Sequence, residues 1–242
     1  MQQSNGYIIG FAVAMTVILG GLLSFTAVSL KPRQQHEIEL DTKKQILASV
    51  GITGEDKMKL SNLFDEKVEA VVVNAAGEQV DYSGNVLKLN VQKEWKKKNA
   101  AEKLLPVYKV KGDDGKVSSY IFPVYGYGLW NEIWGYVALE ADLNTVKGVV
   151  FDHKGETPGL GARIASEQIQ DRYVGKKIKD NSDLKGVVML KGEGNANVDD
   201  YHVDGMSGAT LTANGLNKMV VNYMELYKSY MSKAKGTAAV LN

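Results

Sequence analysis

From Tyr7 to Leu30 the chain runs for 24 residues without a charge, YIIGFAVAMTVILGGLLSFTAVSL. Wound as a helix at about 1.5 Å per residue, such a run spans roughly 36 Å, enough to cross hydrocarbon about 30 Å thick. Tyr7 at one end and Lys31 and Arg33 at the other suit the two interfaces. Residues 31–51 then mix Ile38, Ile46, Leu47 and Val50 with charges and stop at Gly51. That pattern predicts an amphipathic linker helix. Residues 1–6 read as a short N-terminal tail.

Beyond residue 52 the pattern shortens. EAVVVNAAGE (69–78), VYKVKGDDGKVSSYIFPVYG (107–126) and WGYVALEADL (134–143) are apolar runs broken by turns. Asp113-Asp114-Gly115 between two β-rich runs is a hairpin signal. Asp142-Leu143-Asn144 leads through a turn into the strand VKGVVFDH. Leu216, Val220, Tyr223 and Tyr227 recur at helical spacing and predict a last helix. Strands and helices mix without regular βαβ alternation. The fold class is therefore α+β: one transmembrane helix, then a mixed soluble domain (52–232) with largely antiparallel strands. KAKGTAAVLN, residues 233–242, reads as a flexible tail.

A cleaved signal peptide is the competing reading of the first segment. Met1–Gly6 carries no Lys or Arg, and the apolar run exceeds the usual 7–15 residues, so a retained span is expected. Lys31 and Arg33 against an uncharged N-terminus favour a body inside the cell, although large domains translocate with little regard to such charges.

Composition removes whole classes of function. Lys and Arg number 29 against 28 Asp and Glu, so nothing draws the chain to nucleic acid. With no cysteine it forms no disulfide, holds no iron–sulfur cluster by thiolates and has no thiol nucleophile. His36, His153 and His202 share no metal-ligand spacing. A redox role would rest on an organic cofactor. The lysine-rich stretch Gln92–Lys103 reads as a solvated helix face around Trp95, or else as a contact for an acidic partner or lipid headgroups.

The chemistry concentrates in Asp204-Gly205-Met206-Ser207-Gly208-Ala209-Thr210-Leu211-Thr212, directly before the last helix. Ser207, Thr210 and Thr212 are each able to cap exposed N–H groups. A helix start also favours a phosphate electrostatically, and small residues leave the backbone approachable. Residue chemistry leaves both readings open: a plain N-cap after a turn, or the seat of a phosphate-bearing ligand. Thr157-Pro158-Gly159-Leu160-Gly161 reads as a turn, and Gly126-Tyr127-Gly128-Leu129-Trp130 as a strand kinked by glycines.

The pattern D-x-x-S-G-A-T at Asp204, Ser207, Gly208, Ala209 and Thr210 resembles the flavinylation motif of FMN-binding domains in bacterial respiratory complexes. The NqrC-type members, from the sodium-translocating NADH:quinone oxidoreductase, and the G-type members, from the Rnf complexes, belong to that family. His153-Lys154-Gly155-Glu156-Thr157-Pro158-Gly159-Leu160-Gly161 resembles its H-x-E-T-P-G-L-G loop with one residue inserted, and GYGLW its G-x-G-L-W segment. LKPRQQ after the span is similar to the sodium-pump members, and the likeness is densest from about 120 to 230.

The resemblance implies FMN esterified through its phosphate to Thr210 by a flavin transferase that uses FAD. It also implies an isoalloxazine ring near Leu129, Trp130, Thr157 and Leu160, with Glu156 and Gly159 in the same loop. The implied role is electron relay within a Na(+)-translocating NADH:quinone oxidoreductase, as a single-pass inner-membrane protein with its domain on the periplasmic side. Its partners would be other subunits of the complex, among them an iron–sulfur donor and a second flavin subunit. An Rnf-type member, a non-redox anchored assembly module and a secreted enzyme are the other readings.

Overall fold

The computed structural model describes residues 4–240 apart from Ser182 and Asn197. Residues 1–3 and 241–242 of the expected tails lie outside the described residues. Helix α1 runs from Asn5 to Ala48 without interruption, so the expected span and linker helix are one element. Pro32 lies inside it. A proline there deletes one helical hydrogen bond, and the change from apolar to charged sequence at Leu30–Lys31 does not end the helix. The stop at Gly51 is where the sequence puts it. The Gly51 N–H donates to Ala48 O and the Ile52 N–H to Leu47 O, with Gly51 at φ +81°, the double bond of a Schellman cap.

The chain divides into two units, residues up to Asp41 and residues from Thr42 onward. The first is helical from Asn5 onward, its apolar side chains from Tyr7 to Leu30 largely exposed. Its segment is long and apolar enough to cross a membrane.

The second unit is built on a six-stranded antiparallel sheet. Helix α2 (Lys57–Lys67) leads into strands β1 (Val68–Val73) and β2 (Gln79–Val80). Then come the short α3 (Val91–Lys96), β3 (Leu105–Lys111), β4 (Val117–Tyr127), β5 (Glu132–Glu140) and β6 (Val146–His153). The strand order is β2-β1-β3-β4-β5-β6. The one-turn α4 (Glu167–Gln170) and the two-residue strands β7 to β10, at 179–180, 183–184, 188–189 and 202–203, lead to α5, Thr210–Val240. The hairpin expected at 113–115 and the turn expected at 142–144 are the β3–β4 and β5–β6 connections.

Both faces of the sheet are covered, which is why β4 reads as an almost continuous apolar run. Tyr120, Phe122 and Val124 point into the larger core with Leu216, Val220, Tyr223 and Tyr227 of α5. Ile121 points to the other side, with Ile46, Leu47 and Phe64. The predicted period of α5 is thus its buried face. Past the buried Tyr230 and Met231, that helix also continues into the expected flexible tail as far as Val240, with Lys233 Nζ 3.3 Å from Glu78. Extension of an anchored helix needs no new nucleus, so a low-complexity end propagates it.

The lysine-rich stretch is also less solvated than its composition suggests. Lys103 is buried and donates to the carbonyls of Glu94, Trp95 and Lys97 at 2.7–2.8 Å, holding the end of α3. Burial lowers its pKa. Trp95 stacks on Tyr223, ring centroids 5.3 Å apart.

Candidate functional site

Three loops that are far apart in sequence meet at the start of α5. The first is the β4–β5 corner. Tyr127 is the last residue of β4, and the Gly128 N–H donates to Asn131 O at 2.9 Å. GYGLW therefore ends β4 with its first two residues and forms the hairpin tip with its last three, which leaves Leu129 and Trp130 exposed.

The second loop follows β6. The His153 Nδ1 accepts the N–H of Glu156 at 3.3 Å, so His153 shapes the turn into the loop despite the inserted residue. Leu160 and Ala162 N–H groups both donate to Thr157 O, folding TPGLG into a compact turn, with Gly159 at φ +75°. The third loop is 204–209. Gly208 has φ +72°, and a Cβ there would lie 2.7 Å from a Leu160 methyl, so the position takes glycine for conformation and for space.

Glu156 ties the three together. It is 4% exposed. Its Oε1 accepts the Trp130 N–H at 2.9 Å and the Asn131 N–H at 3.4 Å from the first loop. Its Oε2 accepts the Thr212 hydroxyl at 2.6 Å from α5. Burial alone would raise its pKa, but the Thr212 hydroxyl and the two backbone donors outweigh it and hold the carboxyl below the usual range. The packing around it is close. A Cβ on Gly161 would stand 2.5 Å from Thr212 Oγ1 and 2.6 Å from Glu156 Oε2, and one on Gly128 2.5 Å from Glu156 Oε1. The Trp130 indole N–H donates to Thr157 Oγ1 at 3.2 Å.

The helix start itself is open to an anion. The Ala213 N–H bonds Ala209 O, which makes Ala209 the N-cap and Thr210 the first helical residue. Alanine is among the poorest caps, because its methyl offers no acceptor to the second and third helical N–H groups. The Thr212 hydroxyl is already given to Glu156. Sequence chemistry allows Ser207, Thr210 and Thr212 to act as caps, and for Thr212 the hydroxyl serves the carboxylate instead. A phosphate on Thr210 fits this arrangement of free donors and helix dipole.

Beside Thr210 lies a cleft of about 230 Å³, lined by Leu129, Glu156, Thr157, Leu160, Gly161 and residues 208–212. A neighbouring cleft of about 440 Å³ shares Leu129 and Leu211 and is bounded by Trp95, Tyr127 and Lys218. Leu129, Trp130, Leu160 and Leu211 are all more than two-fifths exposed, an apolar surface suited to a planar ring. The expected residues Leu129, Glu156, Thr157, Leu160, Gly208, Ala209 and Thr210 thus converge. Gly159 turns the loop without lining the cleft, and Trp130 stands at its rim through its bond to Thr157.

Asp204 and Ser207 belong to a second network behind the loop. The Asp204 carboxylate accepts N–H groups of Gly194, Asn195 and Gly205 and the Asn195 amide, at 2.7–3.0 Å. Those donors hold it far below the usual carboxylate range. Arg172 donates to Asp204 O and Gly205 O and pairs with Glu193, which also takes Arg163 in a two-point bond. The Arg163 and Arg172 bonds bring Glu193 down to about 2. Arg163, Arg172, Glu193 and Asn195 carry no sequence signal of their own, since only the fold brings them to the loop.

A family profile for FMN-binding domains matches residues 128–225, which contain all three loops from Gly128 onward. The C subunit of the Na(+)-translocating NADH-quinone reductase from Neisseria meningitidis serogroup B is 31% identical, over 94% of this chain and 93% of that one. Its counterpart in Haemophilus ducreyi is 32% identical over 93% of each chain. That of Vibrio vulnificus is 34% identical over 86% of each. Among solved structures, the corresponding protein from Parabacteroides distasonis superposes with a TM-score of 0.73 at 34% identity, covering 84% of this chain and 97% of that one. NqrC of Shewanella oneidensis gives 0.69 at 28%, covering 83% and 99%.

Proposed function

This chain belongs to the NqrC family, the C subunits of the Na(+)-translocating NADH-quinone reductase, and from that membership we propose that it carries FMN as a phosphate ester on Thr210. The observation that supports this reading most is the alanine-capped helix start, with Thr210 at its first position and an apolar cleft alongside. In maturation the Thr210 Oγ forms a new P–O bond to the FMN phosphorus of FAD. The pyrophosphate bond breaks, and AMP leaves with the hydroxyl proton in solution. No electron changes hands in that step.

When bound, FMN supplies one-electron transfer, and the protein's part is to place it and set its surroundings. Leu129, Leu160 and Leu211 cover apolar ring surface, and the free N–H groups at the start of α5 take the phosphate charge. Thr210 is a nucleophile once and has no part in turnover. The protein relays electrons between an iron–sulfur donor and a second flavin in the complex, anchored by α1 with its domain on the periplasmic side. Sodium crosses elsewhere, because residues 7–30 present no ionisable group able to carry an ion other than the terminal Tyr7.

The test is the mass of protein produced with a flavin transferase. We expect an addition of FMN minus water on the peptide containing Thr210, and loss of in-gel flavin fluorescence in Thr210→Val. Fluorescence that persists in the denatured variant would remove Thr210 from the reading. A folded wild-type protein that takes up no flavin would favour an anchored assembly module.

A further inference from the structure

Glu156 lines the cleft beside Thr210, yet both of its oxygens are already engaged by donors of the protein itself. One oxygen takes the Trp130 and Asn131 N–H groups, and the other takes the Thr212 hydroxyl. Gly128 and Gly161 press against the same carboxylate so closely that neither tolerates a Cβ. Every partner is a donor, so the group is an anion, and a protonated acid would waste its own hydrogen here. Among the described residues, no lysine or arginine forms an ion pair with it. His153 meets the loop through Nδ1, which accepts the Glu156 N–H, and it is the one cation-forming side chain whose charge acts on the carboxylate. A fixed negative charge with no lysine or arginine paired to it among the described residues therefore stands in the wall of the proposed flavin cleft.

We infer that Glu156 acts on the cofactor through its charge and not through contact, as a positioning residue whose anion holds the flavin's midpoint potential down. This rests on the reading that Thr210 carries FMN. A flavin gains negative charge on reduction, and a neighbouring fixed anion in a partly water-excluded site disfavours that change. The same carboxylate sets the geometry, because it joins the β4–β5 corner to α5. Charge and geometry separate by substitution. In Glu156→Gln the amide keeps an oxygen for the Trp130 N–H, and its NH₂ group is able to donate to Thr212 Oγ1, so the staple survives without the charge. Thr212→Val keeps the charge and removes its strongest screening donor.

The experiment uses the full-length protein produced with a flavin transferase, measuring attached FMN by in-gel fluorescence and midpoint potential by spectroelectrochemical titration. We expect the FMN-bearing Glu156→Gln protein to titrate at a more positive potential than the wild type. Thr212→Val should move the potential the opposite way. Wild-type attachment with an unchanged potential in Glu156→Gln would overturn the inference. So would folded Glu156→Gln protein that takes up no FMN, because the residue would then be contacted in the modification itself. If Glu156→Gln does not fold, Thr212→Val decides alone: a negative shift supports the inference and no shift overturns it. Absence of FMN from the wild type, or its retention in Thr210→Val, would instead defeat the attachment reading.

Discussion

At the scale of single residues the site splits into what local chemistry announces and what only tertiary contact makes. Thr210 stands out in the sequence because small residues and hydroxyls before a helix suit either a plain cap or a phosphate, and the resemblance of the motif around it favours the phosphate. Glu193 does not. It sits in a Gly-flanked turn with no period, and its worth comes from Arg163 and Arg172, which are 30 and 21 residues away. Its pH behaviour follows from those bonds. Its carboxyl falls from 4.5 to about 2 in the folded protein, so the folded state binds fewer protons than the unfolded one between those values. The stabilisation is complete above about pH 4.5 and drains away as pH falls towards 2. We expect the thermal midpoint to drop over that interval in the wild type and to change less in Glu193→Gln. Parallel pH profiles for the two proteins would show that Glu193 is not the group responsible. Trp130→Ala belongs to this scale as well. The indole is exposed and its N–H donates to Thr157, so attachment should survive while the midpoint potential moves, and an unchanged titration would place Trp130 outside the ring's environment.

At the scale of elements, the hairpins and the buried face of α5 are legible because turn chemistry and period are local properties. Helix α1 is not cut where its composition changes, and α5 is not cut where its sequence becomes simple, since helix continuity depends on neighbours and not on each residue's preference. The tie between α5 and the sheet is a further contact no pattern reveals. Paired residues of β3 and β4 follow Tyr108 opposite Ile121, and the same register would set Pro106 opposite Pro123, where neither residue has an N–H. The ladder ends there, and Tyr227 takes over, its hydroxyl donating to Pro106 O at 2.9 Å with Pro123 O at 3.4 Å. Tyr227→Phe keeps the ring packed on Phe122 and strands a buried carbonyl. A cost of about 1–3 kcal/mol in denaturant unfolding is expected. A variant as stable as the wild type would mean that another donor reaches Pro106 O.

At the scale of the whole molecule, the question that charge patterning and family resemblance answer differently is the side of the membrane on which the FMN domain lies. Lys31 and Arg33 point the body inward, whereas the proposed periplasmic placement follows the resemblance, and a domain of about 200 residues is large enough to translocate with little regard to two flanking charges. The absence of cysteine turns this into a clean measurement, because any thiol placed in the chain is the only one. Val174 follows the turn after α4, is exposed and does not line the proposed flavin cleft. Val174→Cys should therefore leave folding and FMN attachment intact. In cells with a permeabilised outer membrane and a sealed inner one, a membrane-impermeant maleimide should label it fully. A cysteine replacing Gln2, at the other end of the apolar run, should react only after lysis. The reverse pattern would put the domain inside the cell, and the charges flanking α1 would then be the better guide to its topology.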